Sequence, residues 1–173
     1  LHWESTYAFD LGIDFAILKD RITGTLEFYN KNSKDVILKT TLPKYNGFPN
    51  YFANVAKINN KGIEFSIKAL VIDHPKFQFT SDFNIARNYN KVLDIGPFTP
   101  EAVSGGTNDT RVVEGEPVGT NFLVRFSHID PQNGRPVYLD VNGNETYTWD
   151  PKDRVPVGNI YPKAVGGWNN SFK

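Results

Sequence analysis

From position 5 to position 18 apolar and polar side chains alternate without a break. Tyr7, Phe9, Leu11, Ile13, Phe15 and Ile17 fall on one side, and Ala8, Asp10, Gly12, Asp14 and Ala16 on the other. A repeat of two residues marks a β-strand with one apolar face. Ordinary globular strands need only about five or six residues, and this alternation is far longer. A second strand is predicted over 21–31, with Ile22, Gly24, Leu26 and Phe28 opposite Thr23, Thr25, Glu27 and Tyr29; Val36, Ile37 and Leu38 offer an extension of it. A third over 61–72 sets Ile63, Phe65, Ile67, Ala69 and Val71 against Gly62, Glu64, Ser66 and Lys68. A fourth over 76–89 sets Phe77, Phe79, Phe83, Ile85 and Tyr89 against Gln78, Thr80, Asp82 and Asn84, with Arg87 interrupting the apolar row. A fifth is placed at 119–126 and a short one at 136–139.

The connections are unequal. Lys19-Asp20 and Asp73-His74-Pro75 make short turns, whereas 39–60, 90–116 and 127–165 read as long loops rich in Pro, Gly, Asn and aromatic residues. No segment has a helical period. The fold class is therefore all-β, an antiparallel meander of long hairpins. Crossing a bilayer takes a tilted strand of about 9–11 residues, and long strands with short turns at one end and long loops at the other describe a transmembrane β-barrel wall. The short turns would face the periplasm and the long loops the cell exterior. The same alternation would also serve a soluble β-sandwich carbohydrate-binding module, burying its aromatic face against a second sheet. Periodicity alone does not say which medium the apolar face meets.

Composition narrows the chemistry more than the fold. The 173 residues include no cysteine, which excludes disulfides, thiolate catalysis and cysteine zinc sites. They include no methionine, so the chain reads as a piece of a longer product. Nineteen basic and nineteen acidic residues cancel, leaving no electrostatic footprint for nucleic acid. No run approaches the roughly 20 apolar residues of a membrane helix. Thirteen Phe and eight Tyr suit β-structure and would suit aromatic girdles at a membrane surface.

No nucleophile elbow, phosphate loop or HExxH is present, and His2, His74 and His128 are scattered. Asp140-Val141-Asn142-Gly143-Asn144 opens like a calcium loop, but Glu145 and Pro151 stand where an EF-hand needs Gly and Glu. An Asx-rich turn is the simpler reading. Asp10 and Asp14 share a strand face that a watery lumen would explain without catalysis. A glycoside hydrolase would need two of Asp10, Asp14, Glu64 and Asp82 about 5–9.5 Å apart across a cleft. Catalytic residues, metal and cofactor are each expected to be none. The residues expected to meet a ligand or partner are the loop aromatics Tyr45, Phe48, Tyr51, Phe52, Tyr138, Tyr147 and Trp149.

Taken in order, several segments resemble the C-terminal barrel region of the SusC/RagA family of TonB-dependent outer-membrane transporters. Leu1-His2-Trp3-Glu4 is similar to the family's Leu-x-Trp-Glu, and Gly12-Ile13-Asp14-Phe15 to the strand that follows it. Phe28-Tyr29-Asn30, Asp35-Val36-Ile37-Leu38, Leu42-Pro43, Asn54-Val55 and Asn59-Asn60-Lys61-Gly62-Ile63-Glu64 continue the resemblance. So do Asn90-Lys91-Val92, Glu114-Gly115-Glu116-Pro117-Val118-Gly119, Asp130-Pro131, Gly134-Arg135-Pro136-Val137-Tyr138 and Gly166-Gly167-Trp168-Asn169-Asn170-Ser171-Phe172. Phe126-Ser127-His128 stands where the family usually has a glycine-rich approach.

The resemblance implies import of large nutrients, oligosaccharides or peptides, across the outer membrane of a Gram-negative bacterium. Energy would come from TonB through an N-terminal region missing here, and a SusD-like surface lipoprotein would act as lid. Residues 1–173 would be a partial barrel region in contact with outer-membrane lipid. Barrels of this kind have about 22 strands around a plugged lumen.

Overall fold

Five long antiparallel strands form one open sheet in the computed structural model, which describes residues 1–41, 50–103 and 109–173. They are β1 (Ser5–Ile17), β2 (Ile22–Thr41), β3 (Asn50–His74), β4 (Phe77–Asp94) and, after a long excursion, β10 (Val165–Phe172), in the order β1-β2-β3-β4-β10. The excursion carries a small second sheet of β5 (Thr110–Arg111), β6 (Thr120–Ile129), β7 (Pro136–Leu139) and β8 (Glu145–Thr146). Strand β9 (Arg154–Asn159) pairs with β6 as well. The chain is thus a sheet with one folded insert between two of its strands.

The strands overrun their sequence-based limits. Of the 39–60 region expected as a loop, 39–41 and 50–60 are strand, since β2 continues to Thr41 and β3 begins at Asn50, and 42–49 lie outside the described residues. Register shifts between Ser33 and Val36 and between Val36 and Ile37, with Asp35 at φ 59°, break the alternation there while the pairing continues. A bulge adds a residue and flips the faces beyond it, so a strict period-two reading stops short. Likewise β4 runs to Asp94, and 127–165 holds β7, β8 and β9. The strand expected at 119–126 exists but belongs to the insert; the fifth strand of the long sheet is β10.

Register fixes the two faces. Leu11 pairs with Phe28, Phe28 with Ile63, and Ile63 with Arg87; one step lower, Ile13, Leu26, Phe65 and Ile85 form the next row. Below them come Phe15, Gly24, Ile67, Phe83 and Trp168. The other face carries Asp14, Thr25, Ser66 and Asn84, then Gly12, Glu27, Glu64 and Ala86. Two glycines let aromatic rings lie flat across the sheet. A Cβ on Gly24 would meet Phe15 and come within 2.6 Å of the Ser66 carbonyl, and one on Gly62 would meet Tyr29 and come within 2.7 Å of the Arg87 carbonyl.

The apolar face is open. Tyr7 is 77% exposed and Trp168 74%, and among the described residues no second layer covers the rows between them. A β-sandwich would bury this face against a second sheet, and the described residues supply no such sheet. On β1 the apolar band runs from Phe9 to Ile17, about 26 Å of strand at about 3.3 Å per residue. Tilted at about 40°, this gives roughly 20 Å of height, near the roughly 25 Å band of outer-membrane barrels.

At one end the hairpins close tightly, through residues 18–21 and through Pro75 and Lys76. The first turn places Leu18, Lys19 and Asp20 all at positive φ, and the Arg21 guanidinium donates to the Leu70 and Val71 carbonyls where β3 bulges. At the other end the insert folds back over the strands. Its core, Val92, Ile95, Val103 and Val112 with Leu38, Phe98, Ala102 and Val118 against them, is the main buried cluster of the described residues.

Candidate functional site

The polar face and the insert above it are where a ligand or partner would find chemistry. Alternation places Tyr29, Asn60, Asn88 and Asn90 on that face, and their side chains link across three strands. The Tyr29 hydroxyl donates to Asn88 Oδ1 (3.1 Å), while Asn88 Nδ2 and Asn90 Nδ2 both donate to Asn60 Oδ1 (3.3 and 2.7 Å). Asn90 Oδ1 accepts from the Val118 backbone N–H (2.7 Å), and Asn159 Nδ2 donates to the Val118 carbonyl (2.8 Å). The amides therefore tie the insert to the sheet as well as lining it.

Beside this ladder is a cleft of about 580 Å³. It opens because β10 pairs with β4 only up to Val165 and Ala86, so the chain descending from β9 diverges from β4 above that point. Asn60, Asn88 and Asn90 of the polar face, with Arg87 and Tyr89 of the opposite face at the open β4 edge, form the sheet side; Pro117, Val118, Asn159, Tyr161, Pro162 and Lys163 form the insert side. Amides, two tyrosines and two cations offer hydrogen bonds, ring stacking and charge. Sequence reading missed this group. Its signal was the recurrence of Asn at alternate positions of β4, visible only once 88–91 is known to be strand.

The seven expected contact residues do not form one site. Tyr45 and Phe48 lie outside the described residues. Tyr51 and Phe52 are neighbours on β3 and so point to opposite faces: Tyr51 meets Phe98 of the insert edge-on at 6.3 Å, whereas Phe52 is exposed. Tyr138, Tyr147 and Trp149 sit in the insert. Tyr138 packs edge-on against Phe126 at 6.4 Å, Arg135 stacks over Tyr147 at 5.0 Å, and Arg154 lies 5.9 Å from the Trp149 ring. Tyr147 and Trp149 are still about half exposed.

The Tyr147 hydroxyl donates to Asp130 Oδ2, and the Gln132 N–H and Asn133 Nδ2 also donate to that carboxylate (2.8 and 2.6 Å). These bonds, Tyr147's foremost, hold the Asp130 carboxyl below the usual aspartate range. Asp140 is lowered too, chiefly by the Asn144 side chain and backbone. Both Asp140 oxygens accept from Asn142 and Asn144 of its own turn, which accounts for the calcium-like motif as an Asx turn. Among the described residues no group of three or more His, Asp or Glu could hold a metal.

Comparison with known proteins fits this geometry. The family model for the TonB dependent receptor-like β-barrel matches residues 1–171. The chain is 31% identical over 190 residues to TonB-dependent receptor P26 of Formosa agariphila and 30% identical over 180 residues to TonB-dependent receptor SusC of Bacteroides thetaiotaomicron. Those alignments cover 99% and 96% of this chain but 19% and 17% of the relatives, so the chain spans less than a fifth of their length. It superposes on the RagAB peptide transporter with a TM-score of 0.86 at 17% identity, over 99% of this chain and 20% of that one, a likeness of fold.

Proposed function

We propose, because the chain belongs to the TonB-dependent receptor-like β-barrel family, that it forms five wall strands and one extracellular insert of an outer-membrane transporter. The transporter would import large nutrients, oligosaccharides or peptides, and this segment would catalyse nothing. One observation carries the reading: the sheet keeps a wide apolar face open on one side and a polar, amide-lined face on the other. That combination suits a wall between lipid and a watery lumen and suits little else.

In this reading residues 1–173 are a partial barrel region in a Gram-negative outer membrane. The turns at 18–21 and 75–76 face the periplasm and the insert faces outward. TonB would act through a region outside this chain, and a SusD-like lipoprotein would close over the insert. Tyr51, on the polar face beneath the insert, is the best placed of the expected contacts; Tyr138, Tyr147 and Trp149 would meet the lipoprotein or the incoming substrate. Tyr45 and Phe48 stay candidates for the same role, and Phe52 faces away from it.

The test is fractionation of cells making the intact protein, followed by uptake of labelled oligosaccharide and peptide pools. The protein should pellet with outer membranes, need detergent for extraction, and lose uptake when TonB is deleted. A product that is soluble without detergent, or uptake indifferent to TonB, would sink the proposal.

A further inference from the structure

The outward face changes character just above the apolar band. On β4 the residues pointing outward are Arg87, Tyr89 and Lys91, and β3 sets Lys61 directly opposite Tyr89. Directly opposed side chains stand about 5 Å apart at Cβ, and residues two apart on a strand about 7 Å. Three cations therefore surround one tyrosine. The Arg87 guanidinium lies over the Tyr89 ring at 4.4 Å, and all four side chains are exposed. Lys163 adds a fifth exposed polar group across the adjoining cleft.

Among the described residues no carboxylate shares these rows. The rows hold Phe9 and Asn30 beside Lys61, and Tyr7, Asn32 and Asn59 beside Lys91. Asp10, Asp14, Glu27, Glu64 and Asp82 of the same strands point to the other face, and Asp35, at the β2 bulge above, is paired with His2. One step higher Asp94 is already held by Lys57 at 2.6 Å. The turn end differs, since Asp20 and Asp73 stand among Lys19, Arg21 and Lys76 there.

We propose that Lys61, Arg87 and Lys91 bind the phosphate of an anionic lipid headgroup in the outer leaflet, with Tyr89 as its apolar floor. This rests on the wall reading above. A lipid is favoured over a free anion because the shelf is continuous with the apolar rows of Leu11, Phe28 and Ile63 just below. Acyl chains on those rows would place a headgroup at the height of the three cations. Basic clusters at a membrane edge recognise anionic headgroups in this way.

The experiment uses the intact transporter in mild non-ionic detergent, titrated with phosphorylated lipid A or with the same lipid after dephosphorylation, bound lipid being counted by native mass spectrometry. The native protein should prefer the phosphorylated lipid, and K61Q/R87Q/K91Q should lose on the order of a hundredfold in affinity for it, about fivefold per cation. Binding of the dephosphorylated lipid should stay unchanged. K31Q/K68Q, which removes charge from the polar face, should bind as the native protein does. R87Q and K61Q singly, each checked for heat-modifiable migration, guard against a triple variant that fails to assemble. Equal binding of the two lipids, or an unaffected triple variant, overturns the site; so does displacement by millimolar inorganic phosphate, which would make it a free-anion site. If neither lipid binds the native protein, the headgroup site is overturned; the wall reading fails separately, if the intact protein is extracted without detergent.

Discussion

The Asp130 turn shows what a single residue contributes and how it can be tested. Its carboxylate is held by the Tyr147 hydroxyl, the Gln132 N–H and the Asn133 amide, so it takes up a proton less readily in the folded insert than in the unfolded chain. A lowered folded value means the stabilisation is present above the unfolded aspartate range, about 3.9, and is lost as pH falls through the folded value. Tyr147→Phe removes the foremost cause. Its loss of hydrogen-exchange protection around 130–135 should therefore begin at a higher pH than in the native protein, closer to the ordinary aspartate value. Superimposable pH profiles would take Tyr147 out of this account. The turn itself was legible, because Asp130-Pro131-Gln132-Asn133-Gly134 carries its own local hydrogen bonds and Gly134 its positive φ. The role of Tyr147 was not. Its partner lies 17 positions away, and an exposed tyrosine in a loop reads equally as a stacking platform.

Among elements, the turn at 18–21 was located in the sequence but not its strain. Leu18, Lys19 and Asp20 sit at φ 56°, 57° and 64°, a region that costs a residue with a Cβ roughly 1–2 kcal/mol. Lys19→Gly should relieve that cost, and after the added freedom of the unfolded chain a net gain of about 0.5–1 kcal/mol is expected. Lys19→Pro, with φ locked near −65°, should instead destabilise by more than that. Urea unfolding of the intact barrel in lipid vesicles measures both, and a destabilised Lys19→Gly would show that the turn is held by its side chain. Strand existence was legible wherever alternation is regular. It failed at 33–37, where the bulges switch faces while the ladder continues. At β10 a strand was expected at the end of the chain but its extent was not legible, because Gly166-Gly167-Trp168-Asn169-Asn170 has little strand character of its own and is ordered by pairing with β4.

For the whole molecule the decisive question is which medium lies on each face, and two adjacent residues can answer it. Ile13 and Gly12 stand at the same depth of β1, but Ile13 faces outward beside Leu26 and Gly12 faces the polar side beside Glu27. Ile13 lies two outward positions from Phe9 and two from Ile17, midway in the apolar band. A lysine there would sit near the bilayer midplane, at a cost of roughly 2–4 kcal/mol. On the other face, Gly12→Lys brings an ammonium toward Glu27, whose side chain leaves ordinary contact distance of 3.6 Å for the new Cβ. In a watery lumen that substitution should cost little. The expected result is a lowered urea midpoint and reduced outer-membrane level for Ile13→Lys, with Gly12→Lys close to native in both. Equal penalties would mean that both faces meet the same medium, and a wall separating lipid from lumen would be ruled out. The same asymmetry bears on the chain alone in water: among the described residues nothing covers the apolar rows or pairs with the outer edges of β1 and β10, and edge pairing between copies is the cheapest way to hide both.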